Sequence, residues 1–597
     1  MPTEPPPMTS APPPSATPFG RVISVRGSSA RIGILIAPRM SQFEARATVG
    51  RFISIRCNRS HVIAMVTEVS CEGLSPQDKE LYIATASVDL LGEINPTPNG
   101  ERFQRGVTIY PAIGDEADPI TNQELRTVYA PAHKDAIFVG HLQQDPTVSA
   151  YIDIDEMLSK HFAILGSTGV GKSSGVSLVL NEILQMRPNL RLFLLDVHNE
   201  YGRCFGERAL VLNPRNLKLP FWLFNYEEFV DVIFGGRPGV PDELAILSEV
   251  IPYAKAIYTQ YQNVESAGLK RVDPKINGYT VDTPVPYRLT DIVSLIDERM
   301  GRLENRSSRA VYNKLLSRIE TVRNDTRYAF MFENANVGGD TMAEVISHLF
   351  RLPAHGRPMT VMQLAGFPAE VVDSVVSVVC RMAFDFGLWS DGASPLLFVC
   401  EEAHRYASAD RTIGFGPTRK AISRIAKEGR KYGVFLGLVT QRPAELDATI
   451  ISQCNTLFTM RLANERDQSL LRSAVSDAAA NLLSFVPSLG TREVLAFGEG
   501  VALPTRLRFK EMPPHQLPRS EATLAAVTAS ADGHDINFVG SVLERWRGAT
   551  THRDSKASTG ASVTSERRPP RVADAPLLQP SLGLDPDRFS LLKKPLR

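Results

Sequence analysis

The residues with the clearest capacity for chemistry lie in one glycine-rich segment, His161-Phe-Ala-Ile-Leu-Gly-Ser-Thr-Gly-Val-Gly-Lys-Ser-Ser174. Four of them, Gly166, Gly171, Lys172 and Ser173, fit the phosphate-loop pattern G-x-x-x-x-G-K-[ST]. In such a loop the backbone N–H groups turn toward phosphate oxygens, the lysine reaches the β- and γ-phosphates, and the hydroxyl binds Mg²⁺. The segment therefore predicts a site for ATP and Mg²⁺. The predicted nucleotide-binding residues are Gly169, Val170, Gly171, Lys172, Ser173 and Ser174.

A strand and a helix must position this loop. The apolar run Phe162–Leu165 predicts a buried strand before it. Apolar residues then recur at helical spacing from Val176 to Leu184 and stop before Pro188. A helix that begins at the loop adds positive potential at its N-terminus, which favours a phosphate.

A second chemical pattern closes another apolar strand, Pro395-Leu-Leu-Phe-Val-Cys-Glu-Glu-Ala-His-Arg-Tyr406. Two carboxylates after a buried strand are typical of a Walker B motif. We expect Glu401 to hold the Mg²⁺ shell and Glu402 to orient and polarise the attacking water. Glu401 stands where an Asp is usual, but Mg²⁺ often keeps waters and is reached through them, so a longer side chain can serve. His404 and Tyr406 are interpreted as structural or relay groups.

Polar residues follow two further strands. Asp196, His198 and Glu200 come directly after Arg191–Leu195, and Gln441 follows Gly433–Thr440. Because ligand sites of open α/β sheets lie beyond the carboxyl ends of the strands, both tips should face the nucleotide. Gln441 is predicted to contact the γ-phosphate or the attacking water.

A basic helix, Lys420–Tyr432, supplies a candidate for a different role. An oligomeric ATPase needs a cation on the far side of each subunit that stabilises charge on its neighbour's γ-phosphate. Among the basic residues here, Arg430 is the predicted arginine finger. An exposed basic face with no partner is the alternative.

Composition sets limits on the remaining possibilities. The chain has 597 residues, 43% hydrophobic and 22% charged, and a net charge of +1, so any surface for nucleic acid must be local. Six scattered cysteines without a C-x-x-C pair argue against a zinc site or disulfide framework and favour a reducing cytoplasm. We expect no export signal and no membrane span.

Changes of pattern along the chain predict its domains. They are a disordered leader (1–17), a small β-barrel (18–115), a connector (116–150), an α/β ATPase core in two parts (151–219 and 351–515), a helical insertion (220–350), and a C-terminal region (516–597) with a helix, a largely disordered tail and a possible docking peptide at 588–594. The basic residues of the insertion are interpreted as a solvated face rather than a DNA surface.

Together these motifs resemble the HerA family, in the HerA/FtsK branch of RecA-like motor ATPases. The resemblance is carried by His161–Ser174, by D-V-H-N-E-Y-G at Asp196–Gly202, by E-E-A-H at Glu401–His404 and by Glu428–Asn455. It covers about residues 18 to 515, and the barrel start G-R-V-I-S-V-R-G-S is similar to that of the family.

The resemblance implies a RecA-like core and a homohexameric ring that moves double-stranded DNA through a central channel at the expense of ATP. Family members work with a nuclease, which is NurA in end resection or a sirtuin-like or other effector in antiviral defence, and the barrel is the usual partner platform. By motif position, the resemblance assigns nucleotide binding to Lys172 and Ser173, catalysis to Glu402, and the trans finger to Arg430.

Two other readings stay open at this point. A related motor could move a different cargo, as coupling or packaging ATPases do, although the expected lack of a membrane anchor argues against the coupling type. Alternatively, the ring could bind ATP and scaffold a nuclease with little motor activity of its own. The intact set of Lys172, Glu402 and Gln441 favours hydrolysis.

Overall fold

A computed structural model gives the structure of most of the chain. The described residues are 18–35, 48–71, 82–98, 100–131, 133–267, 278–302, 306–333, 335, 339–412, 414–474, 481–519 and 536–549. The predicted leader and the predicted docking peptide lie outside them.

An N-terminal barrel begins the fold. Its strands are β1 (Gly20–Arg26), β2 (Ser29–Leu35), β3 (Phe52–Cys57), β4 (Ser60–Ser70), β5 (Tyr82–Thr97), β6 (Gly100–Arg105) and β7 (Glu116–Pro119). They run in the order β2-β1-β7-β3-β4-β5-β6, and an additional pairing of β2 with β5 closes six of them into a ring. Alternate residues fill the interior, such as Val22, Ile32, Ile55 and Val88. Closure leaves few exposed strand edges.

Short apolar runs at 20–26, 30–35, 50–56, 61–67 and 81–89 predict five strands in this region. All five are present, but β5 is longer than predicted, and β6 and β7 are not among the predicted strands. The sequence of β6, G-E-R-F-Q-R, is almost entirely exposed, so it lacks the apolar alternation that marks a half-buried strand. β7 is only E-A-D-P. Because β7 ends at Pro119, the barrel extends past the predicted limit near residue 115.

The segment predicted as a connector is correspondingly more ordered than a linker. After β7 it contains helix α1 (Asn122–Val128), which has a capping box formed by Thr121 and Glu124, and strands β8 (Ala136–Leu142) and β9 (Ser149–Asp153). Both strands join the edge of the second sheet. The connector therefore contributes to the barrel and to the core.

The ATPase core is built on an 11-stranded sheet. Its further strands are β10 (His161–Leu165), β11 (Arg191–Asp196), β12 (Ala209–Leu212), β13 (Met359–Gln363), β14 (Leu396–Cys400), β15 (Val434–Thr440), β16 (Cys454–Thr459), β17 (Glu493–Gly498) and β18 (Thr505–Phe509). The order is β12-β13-β11-β14-β15-β10-β16-β17-β18-β8-β9. The first seven strands are parallel, and the hairpin β17–β18 continues the sheet in antiparallel fashion.

Parallel strands are buried on both faces, so they are continuous apolar runs rather than alternating ones. Every residue of β10, β13 and β14 is buried. The carboxyl ends of β10, β15, β14 and β11 consequently lie side by side at one edge of the sheet. This edge carries the phosphate loop and both predicted carboxylates.

Helices cover the sheet and form the segment predicted as an insertion between β12 and β13. The remaining helices are α2 (Ile154–Met157), α3 (Lys172–Met186), α4 (Tyr226–Phe234), α5 (Pro241–Ala267), α6 (Leu289–Gly301), α7 (Arg306–Asn324), α8 (Ala329–Phe332), α9 (Met342–Phe350), α10 (Val372–Trp389), α11 (Gly416–Glu428), α12 (Ala448–Ile451), α13 (Glu465–Ala474) and α14 (Ile536–Ala549). Among these described helices, none has both the length and the apolar character that a membrane crossing requires.

Ion pairs explain part of the basic character of the insertion. Arg318 on α7 donates to the buried Glu243 of α5 at 2.9 Å, and Lys314 lies 3.8 Å from the same carboxylate. These two cations therefore neutralise a buried acid within the insertion. The interpretation of the insertion's basic residues as a solvated face rather than a DNA surface stays a prediction.

Candidate active site

The phosphate loop connects β10 to α3 at the carboxyl edge of the sheet. Gly169 and Gly171 adopt left-handed backbone angles, with φ of 79° and 97°, which L-residues with a side chain rarely adopt. Gly171 occupies the position before the first turn of α3, and no side chain caps that turn. The first N–H groups of α3 are thus available to an anion, as a phosphate cradle requires.

Backbone hydrogen bonds fix the loop to the neighbouring strands. The Gly166 N–H donates to the Thr440 carbonyl at 3.2 Å, and the Ser167 N–H donates to the Arg461 carbonyl at 3.0 Å. The buried Val170 carbonyl accepts from the Arg492 N–H at 3.0 Å. The cradle is consequently held in place by three elements before any ligand arrives.

Lys172 and Glu402 form a buried ion pair across this edge. The Nζ of Lys172 lies 3.0 Å from Oε1 of Glu402, and their side chains are only 8% and 5% exposed. The two residues come from α3 and from the turn after β14, on either side of β15 in the sheet. The structure thus brings the predicted phosphate-binding lysine and the predicted catalytic carboxylate into direct contact.

The backbone at Glu402 has an unusual conformation. Its φ of 48° and ψ of 44° lie in the left-handed region, which costs a non-glycine residue on the order of 1 kcal/mol. The second carboxylate oxygen, Oε2, is buried and accepts no hydrogen bond of good geometry from the described residues, although His404 Nδ1 lies 3.2 Å away. Strained backbone and an under-satisfied buried acceptor are typical of functional positions.

Glu401 lies in a cluster of acidic groups at the ends of β14 and β11. Its Oε2 accepts a hydrogen bond from the Val197 N–H at 3.3 Å. Burial, together with the charge of Asp196, raises the pKa of Glu401 to about 8, while Lys172 opposes the shift. Burial also raises the pKa of Asp196 to about 6, although the N–H groups of Glu200 and Tyr201 each donate to it at 3.0 Å.

These carboxyl groups fit a divalent cation that arrives with a nucleotide. Burial penalises their charged forms, and a cation would remove that penalty. Within the described part of the chain no three His, Cys, Asp or Glu residues are placed to hold a metal by themselves. Mg²⁺ commonly takes one or two carboxylates plus phosphate oxygens, so Glu401 and Ser173 would supply its protein ligands. The hydroxyl of Tyr201 is buried near these residues: burial, the largest cause, and the charge of Glu401 raise the pKa of Tyr201, while Ser173 opposes the shift.

Gln441 joins the same site from β15. Its Oε1 accepts a hydrogen bond of 2.6 Å from the hydroxyl of Thr168 in the phosphate loop. The amide therefore lies against the loop, where it can respond to a terminal phosphate. Thr168 itself was not singled out from the sequence. It occupies a variable position of the loop pattern, and its role depends on a residue far away along the chain.

Arg430 lies elsewhere. It is exposed in a 3₁₀ turn, Gly429–Tyr432, that precedes β15, whereas Gln441 follows that seven-residue strand. The two ends of such a strand are about 20 Å apart. Nearby is the buried His161, which begins β10 at the same amino edge and whose pKa Arg430 helps to lower. Arg430 thus stays outside the site of its own chain.

Two of the remaining candidates differ in environment. The side chain of His198 is exposed, while Glu200 is half-buried, and its charge raises the pKa values of Asp196 and Glu401. Glu200 therefore contributes to the electrostatics of the acidic cluster.

Thr440, which sequence reasoning missed, is buried at the centre of the site. Its only sequence signal is a hydroxyl just before Gln441 at the end of an apolar strand.

Comparisons with known proteins agree with this arrangement. The family model for the central domain of the helicase HerA matches residues 137–383. The DNA double-strand break repair helicase HerA of Pyrococcus furiosus is 25% identical over 525 residues, which are 82% of this chain and 86% of that protein. The HerA of Sulfolobus acidocaldarius is 24% identical over 412 residues, 67% of this chain and 73% of the relative.

Among solved structures, VirB4 of Thermoanaerobacter pseudethanolicus is similar with a TM-score of 0.41 and 15% identity, over 64% of this chain and 98% of that one. A likeness of this size adds nothing to the sequence match. The resemblance predicted from the motifs is nevertheless confirmed by the family model and the relatives. Residues 137–383 of this chain are thus similar to the central domain of the helicase HerA.

Proposed function

We propose that the protein is an ATP-dependent translocase or helicase of double-stranded DNA that works as a homohexameric ring. The observation that carries this proposal is the buried pair of Lys172 and Glu402, which joins the phosphate loop to the second acidic strand end. A buried pair at this position puts a phosphate ligand and a general base within reach of the same reacting group. The names of the HerA relatives supply DNA as the substrate on which the motor acts.

The reaction follows from the residues at the site. Lys172 turns from Glu402 to the β- and γ-phosphates, which frees Oε1 of Glu402 to accept a proton from water. The water oxygen bonds to the γ-phosphorus while the bond to the bridging oxygen of ADP breaks, so ADP and phosphate form and the proton rests on Glu402. Gln441 reports the loss of the terminal phosphate through its contact with Thr168. Ser173 and Glu401 would hold Mg²⁺, which would supply positive charge to neutralise the phosphates.

Arg430 completes the site from a second copy of the chain. Because it lies at the amino edge of the sheet, its guanidinium can reach a γ-phosphate only in a neighbouring subunit. A ring of subunits arranged head to tail satisfies this need, which supports the hexamer. The barrel would then serve as the platform for a nuclease in DNA end processing or antiviral defence, in a cytoplasmic setting.

Steady-state ATP hydrolysis tests the proposal. Wild-type protein and Glu402→Gln are compared without DNA, with duplex DNA and with single-stranded DNA. We expect duplex DNA to stimulate turnover and the Gln variant to lose at least a hundredfold in kcat while it still binds ATP. Wild-type protein that binds ATP without turnover would instead favour a ring that scaffolds a nuclease. Turnover that persists in the Gln variant would exclude Glu402 as the base.

A further inference from the structure

One side chain next to the catalytic carboxylate has no part in the mechanism so far. His404 lies in the short 3₁₀ turn Ala403–Arg405 that follows Glu402. Its Nδ1 is 3.2 Å from Oε2 of Glu402 and 3.0 Å from Oγ1 of Thr440. One ring nitrogen thus stands between the carboxylate and the end of β15.

The proton on this nitrogen follows from its two neighbours. A carboxylate oxygen can only accept, so the contact with Oε2 is favourable when Nδ1 carries the hydrogen. The Thr440 hydroxyl oxygen already accepts from the Arg442 N–H at 3.0 Å and has a lone pair left for a second donor. Burial, the largest cause, lowers the pKa of His404, and the carboxylate of Glu402 opposes that shift.

The same contacts tie His404 to the rest of the site. The carbonyl of Thr440 accepts from the Gly166 N–H of the phosphate loop at 3.2 Å. The next residue, Gln441, accepts from Thr168 of that loop. A displacement of the phosphate loop would therefore be transmitted to Thr440 through both its carbonyl and the neighbouring Gln441. Thr440 in turn contacts His404.

The two oxygens of Glu402 have separate partners, and this separation has a consequence. Oε1 faces Lys172, which must leave when it binds phosphate, whereas Oε2 faces His404, which has no reason to leave. Without a fixed second contact, a carboxylate released by Lys172 could rotate away from the attacking water. Misplacement of a general base by about 1 Å is enough to slow a reaction a hundredfold.

We propose that His404 is the positioning residue of Glu402: the 3.2 Å contact between its Nδ1 and Oε2 tightens into a hydrogen bond once Lys172 has moved to the phosphates, and this bond keeps Oε1 pointed at the attacking water. This inference rests on the proposed ATPase function and adds to it the group that aims the base. His404 acts through Glu402 and touches neither ATP nor water.

Variants of His404 separate positioning from a general structural role. His404→Ala removes the donor, and His404→Gln moves it about one bond further out. His404→Asn keeps an N–H near the place of Nδ1. We expect kcat of the Ala variant to fall tenfold to a hundredfold, the size of a lost hydrogen bond to a charged group. The variant His404→Asn should recover part of the lost kcat, and His404→Gln should recover less. In all three variants KM and the affinity for ATP should stay within about threefold of wild type.

Thr440→Val provides a second, nearly isosteric variant that removes the other partner of Nδ1. Because Oε2 keeps its donor in this variant, we expect a smaller fall in kcat than in His404→Ala. Thermal unfolding of each variant, measured with and without Mg²⁺ and ATP, shows whether the fold and the nucleotide site are intact.

The results distinguish this inference from the proposed function. If Glu402→Gln is inactive but His404→Ala hydrolyses ATP at the wild-type rate, the positioning role is wrong and the ATPase stands. The positioning role is also overturned if Ala, Asn and Gln lose ATP affinity and melting temperature in parallel with turnover. If the wild-type protein hydrolyses no ATP, both claims fail together.

Discussion

At the scale of single residues, the candidate site contains one buried ion pair, which must break in the proposed mechanism. Lys172 and Glu402 neutralise each other in a place with almost no solvent. A buried charge left without its partner is destabilising, so we propose that phosphate replaces the carboxylate as the partner of Lys172 when ATP binds.

A substitution of Lys172 tests this dual role. Lys172→Ala should abolish the rise in melting temperature that Mg²⁺ and ATP produce, because the phosphates lose their cation. It should also lower the stability of the nucleotide-free protein by about 3 kcal/mol, because the buried carboxylate of Glu402 loses its ion-pair partner. Denaturant unfolding with and without nucleotide measures both effects.

Lys160→Ala is the matched control. Its ammonium forms a longer pair of 3.7 Å with Glu499, and both side chains are nearly half exposed. Such a pair contributes less than about 1 kcal/mol, so neither stability nor the response to nucleotide should change measurably. Equal losses in the two lysine variants would show that the buried pair has no special role.

At the scale of elements, the parallel strand order decides which residues meet. The phosphate loop and the acidic strand end could be predicted from sequence because each is a short, contiguous pattern after an apolar strand. Their contact could not, since Lys172 and Glu402 are 230 positions apart and meet only because β15 separates β10 from β14 by a single strand.

Other elements escaped prediction for a different reason. Strand β6 is exposed on nearly every residue, and β8 and β9 lie ahead of the phosphate loop yet pair at the far edge of the core sheet. An exposed strand leaves no apolar period in the local sequence, and a local period such as the alternation in β9 does not show which sheet edge the strand joins. His404 was interpreted as a relay or structural group, but its contact with Oε2 requires the left-handed turn at Glu402.

His161 connects β10 to two further elements, and this predicts a pH dependence. Its Nε2–H donates to the Ala426 carbonyl and its Nδ1 accepts from the Leu436 N–H, both at 2.9 Å. Burial lowers the pKa of His161 to about 4 from an ordinary value of 6.5. Between these pH values His161 is protonated in the unfolded chain but neutral in the folded protein. The free energy of unfolding therefore decreases as the pH falls from about 6.5 to 4, and the full stability is retained at pH 7.

Urea unfolding at pH 7 and pH 4.5 measures this loss, which we expect to be on the order of 2 kcal/mol for this group. His161→Gln should be less stable at pH 7 but show a flatter decline toward acid. His515→Gln, at an exposed position, should decline as the wild type does. An unchanged slope in His161→Gln would mean that other groups cause the acid sensitivity.

At the scale of the whole molecule, the proposed trans finger and the proposed catalytic site lie at opposite edges of one sheet. Arg430 lies at the amino edge of the sheet, while the phosphate loop and both carboxylates lie at the carboxyl edge. Repeated head-to-tail contact would pair these edges around a ring.

Mixed oligomers test the trans role of Arg430. Arg430→Ala should lower kcat by about a thousandfold, the low end of the range for an arginine finger, whereas the neighbouring Lys431→Ala should not. Mixing Arg430→Ala with Glu402→Gln should restore turnover, because some interfaces then combine an intact Arg430 with an intact Glu402. Two inactive proteins that stay inactive when mixed, although they assemble together, would place Arg430 outside the reaction.

The most direct measurement of the central claim is the displacement of a third strand from duplex DNA. A labelled oligonucleotide bound as a triplex is released when a motor passes along the duplex beneath it. With ATP and Mg²⁺, the wild-type protein should release the third strand at a rate that follows ATP turnover, and Glu402→Gln should release none. Wild-type protein that hydrolyses ATP on duplex DNA but leaves the third strand bound would contradict translocation.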